Sequence, residues 1–527
     1  MTMRQLRLWI FAGALLLACE APLAGQTQAN AETSDPAGLS LMQALQSALD
    51  NHPVLRIQEE QVNAERAVKQ QFTGQFDMVL GSGITQSRFN TPLATSQQRA
   101  TSLGELIRNQ ATNLTSYNFT ASKLLRSGIS GDVIVETSRT ADNLFNDLGV
   151  NRSRFMFQVN VPLLRGRGRE VVAANETASQ LEADATLLDL NQLIAELLRD
   201  AAASYWLHLA AIRNYEVLDA SEQRGKTIVE NVQSLIDADR VAPVEINQVK
   251  ANLADRGASR IAAQQRQVEA QQRLAIAMGL RFDQMTFLPP PADDFPSSRG
   301  PVAPETGPDS TQFHIDQAIA RRADLLASEK RQDSARVIHV AAANLLRPQV
   351  DLTFSSGYSG LKEGRRIDRT LTSLVSGLRG VDAIAGITYE FPPANNFAKG
   401  RQFAAEAAVR QADLRYLERA RGVTSEVVAA LQAVGYSIGR LEKAKESVEL
   451  FQTALQGERD KLRLGLGSLV DLLTVEDRLT RSLSGLVDAQ LAHALALTRL
   501  RFVTGTIVAP DQAVQSVDRE VFFNLPF

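Results

Sequence analysis

The chain has little of what usually carries chemistry. One cysteine stands among 527 residues, which excludes a disulfide framework and a thiolate metal site. Five histidines (His52, His208, His314, His339 and His493) lie far apart, none paired at metal-ligand spacing. The glycines Gly166 and Gly168, although flanked by arginines, belong to neither a GxxxxGK[ST] nor a GxGxxG pattern. His208 and His493 fall in helical stretches without a partnering serine or aspartate pattern. No catalytic, cofactor-binding or metal-ligating set emerges, so no enzyme is predicted. A net charge of −3 gives no global pull towards nucleic acid. Aromatics are only 6%, while alanine fills long proline-free runs, a mixture that suits closely packed helices. Beyond the N-terminus, no segment approaches the ~20 consecutive apolar residues of a spanning helix.

What is present begins with an export signal. Arg4 and Arg7 precede an apolar segment from Leu8 to Cys19 that is too short to span a bilayer. Leu16-Leu17-Ala18-Cys19 resembles a lipobox, which would leave 1–18 as signal and acylate Cys19. Ala29-Asn30-Ala31 offers an ordinary cleavage site instead, with 1–31 removed.

The rest is said twice. A first repeat, 40–280, reads as helix, strands within 76–162, a long helix 169–240 and a returning helix 245–280. A second, 311–508, reads as helix, strands within 349–393, a long helix 401–464 and a returning helix 470–504. Between them 281–310 is rich in Pro, Asp and Ser and reads as extended; 509–527 is a tail. Each long helix would extend on the order of 100 Å. The lengths predict two shorter helices stacked end to end beside each long one.

The strands alternate cleanly. Phe155, Phe157, Val159 and Val161 share one face, as do Val350, Leu352, Phe354 and Tyr358, and Ala385, Ile387, Tyr389 and Phe391. Small polar residues take the opposite face. In an exported chain this pattern suits a transmembrane barrel, apolar towards lipid and polar within. One chain has too few strands to close a barrel, so closure requires oligomerisation. The alternative is an exported coiled-coil protein of the cell envelope, which long paired helices alone would also suit.

The joints VPLLRGRGRE and FPPANNFAKGRQ, the break GLGSLVDLL and the whole-chain repeat resemble the TolC-like outer-membrane efflux protein family, over about residues 40–508. The resemblance implies a mainly α chain with a membrane β-region. Its homotrimer would form an α-helical barrel in the periplasm continued by an outer-membrane β-barrel. It also implies a passive exit duct for tripartite efflux or type I secretion, in outer-membrane lipid, docked to a periplasmic adaptor and an inner-membrane pump.

Site residues follow from the same resemblance. Leu464, Gly465, Leu466 and Ser468 would form the adaptor-contacting tip, with Val241 and Pro243 at the glycine-free equivalent in the first repeat. Asp471 matches an acidic position ringing the periplasmic entrance, whereas Thr474 replaces the second acid and Gly467 stands where a gating arginine can occur. Pro162, Arg165, Arg167, Pro392 and Pro393 mark the joint at the membrane boundary, where arginines can meet phosphate head groups. The first repeat also carries surplus strand-like segments, SYNFTASKLL and GDVIVETSRT. Either they widen the barrel from 4 strands per chain to 6, or they fold outside its wall. Membership of the wall requires Lys123 and Glu136 to face the lumen.

Overall fold

The computed structural model describes residues 38–508 and 520–523, apart from 101–103, 145–146, 241, 286, 298–307, 376–377 and 465. The export segment with Cys19, and all of the tail but a short helix, α11 (Glu520–Phe523), lie outside the described residues.

Nothing interrupts the long alanine-rich runs, and they form single helices. α4 (Ala174–Asp237) has 64 residues and α9 (Asn396–Arg463) has 68, each about 100 Å at 1.5 Å per residue. Shorter helices stack beside them. α1 (Leu41–Asn51), α2 (Pro53–Thr73) and α5 (Glu245–Ala277) lie along α4. α6 (Pro308–Arg321), α7 (Ala323–Asn344) and α10 (Leu469–Val503) lie along α9. The two sets join where α4 meets α7 and α10. Alanines on the buried stripes, such as Ala185, Ala201 and Ala430, let the helix axes approach closely.

The first long helix does not start as one piece. A single turn, α3 (Arg169–Val172), precedes Ala173, whose φ of −96° and ψ of 16° break the helix before α4. α3 packs on α7, so the break lets the chain contact the second repeat before it runs down the bundle. The largest core lies midway, where Tyr205, Trp206, Leu41, Leu45, Leu274 and Leu500 are all buried. The proline-rich linker is extended but docked against it. Leu39 N–H donates to Pro290 O at 2.9 Å, and Tyr205 hydroxyl donates to Leu39 O at 3.0 Å. Phe295 stacks on Trp206 with ring centroids 6.0 Å apart.

Six strands form one antiparallel sheet: β1 (Met78–Pro92), β4 (Asn109–Leu124), β5 (Ser130–Asp142), β6 (Val150–Pro162), β7 (Gln349–Glu363) and β8 (Leu378–Glu390), side by side in that order. A small ribbon, β2 (Arg99–Ala100) with β3 (Leu106–Ile107), sits in the β1–β4 connection. The surplus segments of the first repeat are therefore β4 and β5, inside the sheet rather than apart from it. Between β7 and β8, α8 (Ile367–Thr372) folds back over the sheet, and Thr370 hydroxyl donates to Asn151 Oδ1 at 2.6 Å.

Register fixes the two faces. Phe119, Val135, Phe155, Tyr358 and Val381 are direct cross-strand neighbours in one row, and the Phe155 and Tyr358 rings stack at 5.4 Å. The next row, on the opposite face, is Asn118, Glu136, Arg154 and Ser359. Glu136 thus takes the polar side. Lys123 does not: alternation puts it on the apolar side with Ala121 and Phe119. It lies at the helix-ward end of β4, opposite Met78, where a long side chain can lead its ammonium out of an apolar band.

Candidate functional site

The joint between sheet and helices is built around the basic, glycine-punctuated stretch after Pro162. Gly166 and Gly168 have φ of 77° and 97°, values that side chains rarely adopt. Gly166 N–H donates to Asn344 Oδ1 at 2.8 Å, and Gly168 N–H to Ser127 O at 2.9 Å. Ser127 belongs to the β4–β5 turn. In the same turn Gly128 has φ of 94°, and a Cβ there would lie 2.2 Å from Gly166 O. Arg126 completes the attachment: it donates twice to Glu176 of α4, at 2.8 and 2.6 Å, and stacks over Phe76 at 4.6 Å. Arg165 donates to Gln349 at the start of β7, Pro162 is buried, and Arg167, Pro392 and Pro393 are exposed.

At the other end of the bundle, α9 stops at Leu464 and α10 starts at Leu469. Leu464 N–H returns to Asp460 O, and Leu466 N–H to Lys461 O, at 3.1 and 2.9 Å. Gly467 packs on the end of α9, where a Cβ would sit 2.9 Å from Leu462 N, so an arginine could not take its place without moving the turn. Ser468 caps α10, its hydroxyl accepting from Val470 N–H at 3.2 Å. Leu464 and Leu466 are 72% and 79% exposed, an apolar pair without cover among the described residues; Gly465 lies outside them. The first repeat makes its tip without glycine, using Asp239 at φ 55°. Pro243 is exposed there, and Val241 lies outside the described residues.

Asp471 is exposed on the first turn of α10, where a carboxylate suits the helix dipole. Its neighbour across the tip is Lys461, whose pKa is pushed up chiefly by its hydrogen bond to Glu458, with a smaller contribution from Asp471.

Further along the bundle lies a charge cluster that sequence reading did not single out. Glu476 of α10 is fully buried and receives a short hydrogen bond from Arg224 of α4. Arg256 of α5 approaches its Oε1 at 3.5 Å, and Arg459 of α9 its Oε2 at 3.7 Å. Arg256, 6% exposed, also donates to Asp477 at 2.9 Å and to Ser221 O at 3.1 Å. One carboxylate therefore binds all four helices together. A signal was available, since Glu476 falls on the same stripe as Leu472, Leu473 and Leu479, but an isolated acid on an apolar stripe does not reveal its partners.

His52 caps α2, accepting from Val54 N–H, whereas His208 and His493 serve packing. His493 and His208 are buried, and His493 Nδ1 pairs with Ser437 hydroxyl at 2.9 Å. Burial lowers both pKa values, with Lys445 adding to the effect at His493. Among the described residues no group of His, Cys, Asp and Glu could hold a metal ion, and no helix is long and apolar enough to cross a membrane.

Comparison with known proteins agrees with this architecture. Residues 314–506 match the family described as outer membrane efflux protein. The outer-membrane channel OprN superimposes with a TM-score of 0.64 at 17% identity, covering 88% of this chain and 90% of its own. The Campylobacter jejuni CmeC outer membrane channel gives 0.64 at 13% identity, covering 90% and 87%. The Vibrio cholerae outer membrane protein VceC gives 0.63 at 16% identity, covering 88% and 96%. No curated protein sequence matches the chain. The resemblance to TolC-like outer-membrane efflux proteins read from the joints and tips stands, and the fold is that of a protomer of these channels.

Proposed function

We propose that this chain, TolC-like in fold and with the outer membrane efflux protein signature in its second repeat, is the outer-membrane exit duct of a tripartite efflux or type I secretion system. The observation that carries the reading is the sheet. It has one apolar face, one polar face and two unpaired edges, β1 and β8. Unpaired backbone groups cannot face lipid, so the sheet closes by joining β8 of one copy to β1 of the next. The homotrimer sits in the outer membrane and extends its helices into the periplasm. It works passively, the energy coming from an inner-membrane pump reached through a periplasmic adaptor.

The exposed Leu464 and Leu466 support the docking role, because a solvated apolar pair on a rigid hairpin tip suits capture by an apolar groove. Light scattering on the detergent-extracted protein should return the mass of three chains, and planar-bilayer recording should find pores. A monomer without conductance would refute the channel. With adaptor reconstituted, L464D/L466D should lose co-purification while remaining trimeric; retention of the adaptor would move the docking site elsewhere.

A further inference from the structure

The apolar face of the sheet ends before its strands do. On β7 the apolar stretch runs from Val350, opposite Tyr389, to Tyr358, opposite Val381. At about 3.4 Å per residue and a tilt of about 40°, it spans about 21 Å along a barrel axis. A lipid-facing band is about 25 Å tall, so hydrocarbon ends just beyond the row of Phe119, Phe155 and Tyr358. Two rows further from the helices, the same face carries Thr115, Arg139, Asn151 and Lys362 as direct neighbours. α8 is laid over this polar margin. Thr370 hydroxyl donates to Asn151, the Ser373 and Ser153 hydroxyls pair, and Lys362 Nζ donates to Thr372 hydroxyl at 3.2 Å. Resting on the membrane duct proposed above, α8 therefore lies outside the wall, in the head-group layer of the outer leaflet.

Cations gather there. Arg139, Lys362, Arg365, Arg366 and Arg369 surround α8. The acids beside them are Asp147, paired with Arg365 at 2.7 Å, and Asp368, paired with Arg366 at 3.2 Å. Asp142 and Glu363 stand on the opposite face by alternation. Among the described residues, Arg139, Lys362 and Arg369 have no carboxylate within ion-pair distance. Arg369 donates to the backbone carbonyl of Glu363 at 3.2 Å, and Arg139 Nε is buried without a hydrogen-bond partner among the described residues. A buried charged donor is costly until an acceptor completes it. Phosphate is the acceptor available at this height in a membrane, and it takes several cationic donors at once, arginine bidentately. A zwitterionic head group brings its own cation, so uncompensated arginines favour a net-anionic one. We propose that the α8 rim binds a phosphorylated glycolipid of the outer leaflet. Its phosphates meet Arg139, Lys362 and Arg369, and its acyl chains run down the apolar rows towards Phe155. The lipid in turn pins the β7–β8 connection to the outside of the barrel.

The test is native mass spectrometry of glycolipid-free trimer, titrated in neutral detergent with bisphosphorylated lipid A. Each chain should take up one lipid, and the dephosphorylated form should bind at least about tenfold more weakly. Arg139→Gln/Lys362→Gln/Arg369→Gln should weaken binding on the order of 100-fold, at about fivefold for each cation near a charged surface. Arg369→Gln alone, at an exposed position, should lose about fivefold, and it decides the matter if the triple variant does not assemble. Arg154→Gln, on the polar face, should leave lipid affinity unaltered. Excess inorganic phosphate should not displace the lipid; displacement would mark a free-anion pocket and overturn the lipid site. Equal affinity for the two lipids, or wild-type binding by a trimeric Arg369→Gln, would also overturn the rim site and leave the channel reading standing. A wild-type chain of monomeric mass would overturn the channel reading, and the rim site with it.

Discussion

Glu476→Ala isolates the four-helix charge cluster. Among the described residues, the substitution removes the one carboxylate that Arg224, Arg256 and Arg459 all approach. Arg224 and Arg459 have side chains 25% and 42% exposed and can turn towards water, whereas Arg256, at 6%, cannot. Removing one partner of a buried pair typically costs 3–5 kcal/mol. Arg256 retains Asp477, Ser221 and Asn252, which argues for the lower end, about 3 kcal/mol. At about 1.4 kcal/mol per tenfold, that raises local opening on the order of 100-fold. Hydrogen exchange of α5 and α10 amides near the cluster reads it directly, and avoids assuming two-state melting of a large assembly. Arg421→Ala, which breaks an ion pair with side chains 82% and 78% exposed, should change exchange by no more than a few-fold. The double variant Glu476→Leu/Arg256→Met should recover much of the lost protection, since apolar replacement of a buried pair is often neutral. If Glu476→Ala changes protection less than threefold, the cluster does not bind the hairpins together.

Three further outcomes follow from the same coordinates. Gly128→Val should unseat the β4–β5 turn, because a Cβ would meet Gly166 O at 2.2 Å in a backbone conformation that valine resists; trypsin should then cut at Arg126, and resistance equal to wild type would contradict the joint. Lowering pH should weaken the helical bundle: unfolded histidine takes up a proton near 6.5, while burial depresses the folded pKa of His208 and His493. Their contribution is therefore whole above about pH 6.5 and declines below it, down to the folded pKa values; His493→Gln should flatten the dependence of melting temperature on pH between 7 and 5, and an unchanged slope would refute the assignment. If the proposed trimer rings its entrance with Asp471, Asp471→Asn should shift the reversal potential of bilayer-reconstituted channels under a KCl gradient towards zero, since Asp471 is exposed and would lose its charge in each copy; an unaltered potential would place cation selection elsewhere.

Period and length made the architecture legible before any coordinates. Alternation over Phe155–Val161 and Val350–Tyr358 reports two-sided strands because side chains in a strand must alternate, and the long helices could be read because nothing in 174–237 or 396–463 stops them. Composition alone could not show what depends on contacts between distant segments. The linker's prolines correctly imply extension, yet residues far away in the chain, among them Tyr205, Trp206, Leu39 and Arg213, determine that it is docked. Lys123 misled because polarity was matched to a face without regard to depth; at the end of a strand, a lysine on the apolar side costs little. The basic stretch after Pro162 is the clearest instance. Its arginines suggest a lipid boundary, but sequence could not show that Gly166 and Gly168 take positive φ there, nor that Gly128, some forty residues earlier, is what lets the β4–β5 turn approach Gly166 O. A joint that accommodates that turn is evidence, independent of strand pairing, that β4 and β5 are integral to the sheet.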